Sequence, residues 1–222
     1  MCYSLEASVT ACIGLAIAGG GMVAKAVTHD RRMLFFALFP LVFAVHQATE
    51  GVVWYSWDHP FEGDSAFRYL YTVIAFTVWP VLTPFAAAHA ETDPERRRLW
   101  RMLGGTGVVL GLYLIVKLAF ADGIQIAVVK HSLAYTPMFE RPPVIVHFLY
   151  VVLTVAPLVF SERRWLVAFG GVVFVTFFWA LMENRPAWYS VWCMTAAAFS
   201  LIIAFAIERV RAPRFDGVEA PG

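Results

Sequence analysis

The chain has 222 residues, 60% hydrophobic and 15% charged, with a formal net charge of +1 and a mean hydropathy of +0.67. A soluble domain of this size carries about 25% charged and about 45–50% apolar residues, so the excess points to a membrane. The lack of a basic soluble domain argues against a nucleic-acid partner, and the three cysteines match no CxxC or zinc-finger spacing.

Seven apolar runs follow one another at roughly 5–27, 33–57, 66–89, 100–121, 144–160, 165–182 and 187–207. Each is long enough, or nearly so, to cross the hydrocarbon core at about 1.5 Å per residue. The runs are continuous rather than alternating, which favours helices over barrel strands. The expected fold is therefore all-α: a polytopic membrane helix bundle of six to seven spans. It forms a single domain over 1–211, with a disordered cytoplasmic tail at 212–222. The opening "MCYSLEAS" lacks a basic segment and runs into a full span, so no cleaved signal is expected. The segment 122–143 is too polar to span and predicts an extended loop or a short interfacial helix.

Basic residues set the orientation. Arg31 and Arg32, Arg96 to Arg98 with Arg101, Arg163 and Arg164, and Arg209, Arg211 and Arg214 mark the odd loops and the tail. Acids dominate the even loops, among them Asp58, Glu62, Asp64, Asp122, Glu140 and Glu183. The positive-inside rule then places the N-terminus outside and the C-terminus in the cytoplasm of an inner (plasma) membrane. Within the bundle, Gly107 with Gly111, and Ala16 with Gly20 and Ala24, predict close helix contacts. Pro80 and Pro84 predict a kink in span three. Trp54, Tyr55, Trp57, Trp188, Tyr189 and Trp192 predict an aromatic belt at the outer interface.

The chemistry concentrates in "FAVHQATEGVVWYSW". His46 and Glu50 are one helical turn apart on one face, flanked by Gln47. Ionisable groups at this depth cost about 2.5–3.5 kcal/mol on insertion scales. The spacing suits two ligands of one metal, or a carboxylate orienting a catalytic imidazole. The plain alternative is a neutral His46–Glu50 hydrogen bond that joins helices. The topology brings Cys2, Cys193 and His147 toward the same outer face. Removal of Met1 would leave Cys2 with both amine and thiolate, able to chelate or to act as a nucleophile. A Cys2–Cys193 disulfide and an inert packed Cys2 are the other readings. Ser4 predicts the N-cap of the first helix, with Glu6 in its first turn. No lysine in span seven offers a retinal attachment point, and no phosphate loop, GxSxG or HExxH is present.

The opening "MCYSLEAS", "HQATEGVVW" and "YSVWC" resemble an uncharacterised family of small bacterial integral membrane proteins that begin Met-Cys-aromatic-Ser. That family carries a Q/H-Q-x-x-E-G element in span two and a late S-V-W-C motif. The resemblance implies that Cys2, Ser4, Glu50, Trp54 and Cys193 match the family pattern. His46 stands where the pattern has glutamine, which moves the weight of the site to Cys2, Glu50 and Cys193. Seven spans with buried His and acid also look like the alkaline-ceramidase and progestin-receptor-type hydrolases, but their late HxxxH pair is missing here.

Three functions fit. The first is a metal-binding site of Cys2, His46, Glu50, Cys193 and His147 in the outer half of the membrane. Its ion would be zinc, copper or iron, and Glu50 and Cys2 would be the catalytic residues in a metal-dependent hydrolase of a lipid-like substrate. The second is a carrier or channel for a small solute, proton or metal ion. The third is an outward-facing redox or ligand sensor. Expected partners are the lipid bilayer, a lipid or small-molecule substrate and, as an open option, further copies of the chain.

Overall fold

The computed structural model describes residues 4–207; Cys2, the tail arginines and the segment 212–222 lie outside the described residues. Six helices are long and apolar enough to cross a membrane: α1 Leu5–His29, α2 Arg31–Asp58, α3 Asp64–Ala90, α4 Pro94–Ala119, α6 Arg164–Glu183 and α7 Arg185–Ala206. The apolar α5, Val144–Val159, is shorter at 16 residues. The fold is an all-α polytopic bundle. α2 and α3 are its most buried spans, and α1 is the most peripheral.

Local chemistry starts and stops these helices as the sequence suggests. Ser4 accepts the Ala7 N–H at 3.2 Å and caps α1. Asp93 accepts the Arg96 N–H at 2.8 Å, with Pro94 in the first turn of α4.

The basic loops share one end of the bundle. Arg163 pairs with Asp30 at 2.5 Å and donates to the Ala206 carbonyl at 2.9 Å. Arg96 reaches the Phe160 carbonyl, and Lys25 donates to the Ala204 carbonyl at 2.6 Å. Loops that the charge rule assigns to one membrane side are thus tied to one another.

The segment 122–143 corrects the expectation of a loop or interfacial helix. It forms an antiparallel hairpin, β1 Ile124–Val129 and β2 Ser132–Pro137. β-branched residues dominate β1, with Ile124, Ile126, Val128 and Val129, whereas β2 has only Thr136. The turn residues Lys130 and His131 sit at φ 45° and 62°, the two-residue geometry whose twist matches paired strands. Nothing in "VKHS" advertises such a turn, which usually takes Asn or Gly. Tertiary bonds hold it instead: Lys130 donates to the Glu183 carbonyl at 2.7 Å, and Asn184 to the Val129 carbonyl at 2.8 Å. β2 is buried, with Leu133, Ala134 and Tyr135 packed against the helix ends.

α3 and α4 meet where the paired glycines predict. A Cβ on Gly107 would lie 2.0 Å from the Pro80 carbonyl oxygen, so only glycine permits this approach. Pro84 explains the open carbonyl, because it has no N–H to return to Pro80 one turn earlier. Just before Pro80 the helix widens into a π turn over Ile74–Val78. In that geometry the i−5 acceptor facing position 80 is Ala75, and proline cannot serve it. The Tyr150 hydroxyl from α5 donates to the Ala75 carbonyl at 2.6 Å and fills the place.

Two packing expectations fail. Ala16, Gly20 and Ala24 are exposed, and the close contact of α1 is made by Gly19 against Leu41 of α2. Tyr55 and Trp57 are exposed, as an interfacial belt requires, but Trp192 is buried and donates its indole N–H to the Val173 carbonyl at 2.8 Å. Trp188 and Tyr189 are half-buried; Trp188 meets Phe177 edge to face and Tyr189 packs at a tilt on Phe76. These rings bind α7 to its neighbours rather than facing headgroups.

Candidate functional site

Glu50 is fully buried in α2, two turns from its hairpin end. Its Oε1 accepts the Ser190 hydroxyl of α7 at 2.7 Å, and its Oε2 accepts the Gln47 amide at 3.3 Å. Both donors are themselves fully buried. Cys193, one turn beyond Ser190 on the same face of α7, is a buried free thiol within electrostatic range of Glu50. Next to Glu50, Gly51 lets α1 approach: a Cβ there would touch Ser8, Leu5 and Val9. The first turns of α1 therefore pack on α2 at the residue next to Glu50 in the chain.

His46 is also fully buried, one helical turn before Glu50 in α2. Its ring stacks on Tyr71 of α3 at 4.2 Å, and Tyr71 stacks on Tyr135 of the hairpin at 3.9 Å. The anticipated His46–Glu50 hydrogen bond is not made. Neither imidazole nitrogen has a hydrogen-bond partner among the described residues, although the Tyr71 backbone faces the ring. Buried polar groups are nearly always paired, and an orphan calls for a physical reason.

The sequence expectations thus separate. His46, Glu50 and Cys193 are all buried near the hairpin end of α2 and α7. His147 is exposed, with its Nδ1 3.4 Å from the Pro143 carbonyl oxygen of its own helix. Cys2 lies outside the described residues, two positions before the cap of α1. Among the described residues, no three His, Cys, Asp or Glu side chains converge in a metal-binding group. Ser190 escaped sequence reasoning, although its place three residues before Cys193 in "YSVWC" puts both on one helical face. Tyr71 and Tyr135 carried no signal, since the packing of α3 on α2 brings Tyr71 to His46 and the hairpin brings Tyr135 to Tyr71.

Fold and site together define a multi-pass α-helical membrane protein with a fully buried polar cluster between its second and seventh helices. The chain belongs to a family of unknown function (DUF6629), whose family model matches residues 1–217. No curated protein and no solved structure matches the chain.

Proposed function

We propose that the cluster is a transition-metal site and that the protein is a metal-dependent hydrolase of a lipid-like ester or amide in the plasma membrane. Cys2, Glu50 and Cys193 are the ligands, a set of two thiolates and a carboxylate that favours zinc, copper or iron. Three protein ligands leave a coordination position for water, as catalytic sites require. The observation that carries this reading is the Glu50 carboxylate, fixed by Ser190 and Gln47 beside a buried thiol, because ligating carboxylates are oriented by such hydrogen bonds. Cys2 precedes Ser4 by two residues, about 7 Å of chain, and α1 starts beside Gly51.

Held by Cys2, Glu50 and Cys193, the ion would supply a Lewis acid that lowers the proton affinity of a bound water and polarises a substrate carbonyl. His46, whose nitrogens have no hydrogen-bond partner among the described residues, would take the water proton as oxygen bonds to the carbonyl carbon. The C–O or C–N bond would then break, and His46 would return the proton to the leaving alcohol or amine. An apolar groove of about 580 Å³ between α1 and α2, lined by Val9, Cys12, Gly51 and Tyr55 among others, suits an acyl chain, and Gly51 is the neighbour of Glu50 in the chain. The test is hydrolysis of long-chain esters and amides by detergent-purified protein. Absence of turnover ends the hydrolase reading, and turnover that persists after chelation and after Glu50→Gln ends its metal dependence and the role of Glu50.

The π turn at Ile74–Val78 beside Pro80 favours a second reading, a carrier whose α3 flexes there. Substrate-driven uptake into proteoliposomes, lost on straightening the turn, would support it over the enzyme.

A further inference from the structure

Seven helical threonines follow one habit. Thr28, Thr49, Thr72, Thr77, Thr106, Thr176 and Thr195 each donate to a carbonyl of the preceding turn, the usual escape for a hydroxyl in a helix. Thr83 of α3 and Thr154 of α5 do not. Both are buried, at 1% and 7% exposure, and neither hydroxyl has a hydrogen-bond partner among the described residues. The indole N–H of Trp79, one turn before Thr83, is in the same condition at 4% exposure. All three side chains line one small cavity, whose other walls include the rings of Phe43 and Phe169 and the thiol of Cys193.

The cavity has a volume of about 20 Å³. One water molecule needs roughly 10–15 Å³ and two to four polar partners. Size and partners both match. A larger ligand is excluded by volume, and an anion or cation by the lack of any charged wall among the lining residues.

We infer that this cavity is a binding site for a single structural water, bridging Trp79 and Thr83 of α3 to Thr154 of α5. The water accepts from the indole N–H and bonds both hydroxyls, so three buried polar groups are satisfied at once. It joins the helix broken by Pro80 and Pro84 to the helix that carries Tyr150. Cys193, within electrostatic range of Glu50, lines the same cavity. The inference does not depend on the metal.

Thr83→Val and Thr154→Val keep the side-chain shape and test it by sign. If water bridges the groups, each variant loses a hydrogen bond and strands the others, so each lowers Tm by several degrees. The double variant then loses less than the sum, since both act through one molecule. If the cavity is dry, each substitution removes an unsatisfied buried hydroxyl and raises Tm or leaves it unchanged; that result overturns the proposal. Thr106→Val, whose hydroxyl bonds its own helix and is exposed, is the control. Should a valine variant fail to fold, wild-type density decides: a peak within hydrogen-bond distance of Trp79 Nε1, Thr83 Oγ1 and Thr154 Oγ1 supports the water, and a featureless cavity refutes it.

Discussion

Ser190 donates its hydroxyl to Oε1 of Glu50 at 2.7 Å, joining residues 140 positions apart in the chain. This bond locks α7 to α2 inside the bundle and fixes the direction of the one fully buried carboxylate among the described residues. Ser190→Ala removes the donor while leaving helix propensity almost unchanged. A hydrogen bond to a charged group contributes about 1.5–3 kcal/mol, and the variant is predicted to lose that stability in detergent unfolding. Metal affinity should fall about 10–100-fold, as it does when a ligand loses its orienting partner.

The roles proposed for His46 and Glu50 differ, and a pair of variants separates them. His46→Gln removes the base but no ligand. It should keep the metal while turnover drops roughly 100- to 10,000-fold, the usual contribution of a positioned acid–base. Glu50→Gln should lose metal and turnover together. Equal metal loss in both would make His46 a ligand instead.

Tyr150 and the π turn of α3 form a second testable unit. Tyr150→Phe strands the buried Ala75 carbonyl, at a cost of about 1–3 kcal/mol. Hydrogen exchange should rise locally over Ile74–Val78, because the hydroxyl is what anchors the widened turn to α5. Uniform exchange across α3 would show that the turn stands without it.

Much of this architecture was legible in the chain, and the failures have physical reasons. Spans declare themselves by continuous apolar length, and the basic loops by arginines such as Arg31, Arg96 and Arg163 that meet at one end. Gly107 was legible because Gly107 and Gly111, one turn apart, form a small face by spacing alone. The hairpin was not, because Lys130 and His131 take positive φ only under bonds from Asn184 and Lys130 to distant partners. Ala16 and Gly20 look like Gly19 in sequence; only Leu41 of another helix decides which of them packs. Glu50 was found by its cost in a membrane, whereas Ser190, an ordinary small residue, was visible only as the partner of that acid.

Gly107 and Gly105 lie two positions apart on α4 and should respond oppositely to alanine. A Cβ at Gly107 collides with backbone, the Pro80 carbonyl oxygen at 2.0 Å, whereas nothing lies within 4 Å of one at Gly105. Gly107→Ala is predicted to cost about 3 kcal/mol or more, the upper end of overpacking. Gly105→Ala should be neutral or slightly stabilising by helix propensity. Thermal unfolding in detergent compares the two directly.

Glu91, in the turn between α3 and α4, gives a pH signature outside the membrane. Burial would raise its carboxyl, but hydrogen bonds from the Asp93 amide, the Arg96 side chain and the Thr92 amide outweigh this and hold it below its ordinary value of 4.5. A depressed folded value means that the carboxylate contributes stability above the unfolded pKa. That contribution is lost as pH falls through the folded value. Tm should therefore decline on acidification below about pH 5, and Glu91→Gln should flatten part of that decline. An unchanged acid limb in the variant would remove Glu91 from the account.

The central claim is that a metal ion sits at Glu50, and elemental analysis tests it most directly. The protein would be purified in detergent without chelator or affinity metal, beside Cys2→Ser, Glu50→Gln, Cys193→Ser and His46→Gln. The account predicts near-stoichiometric zinc, copper or iron in the wild type and in His46→Gln, and loss of it in the other three. A folded wild-type protein without transition metal would contradict the account and leave Glu50, Gln47 and Ser190 as a hydrogen-bonded joint between helices.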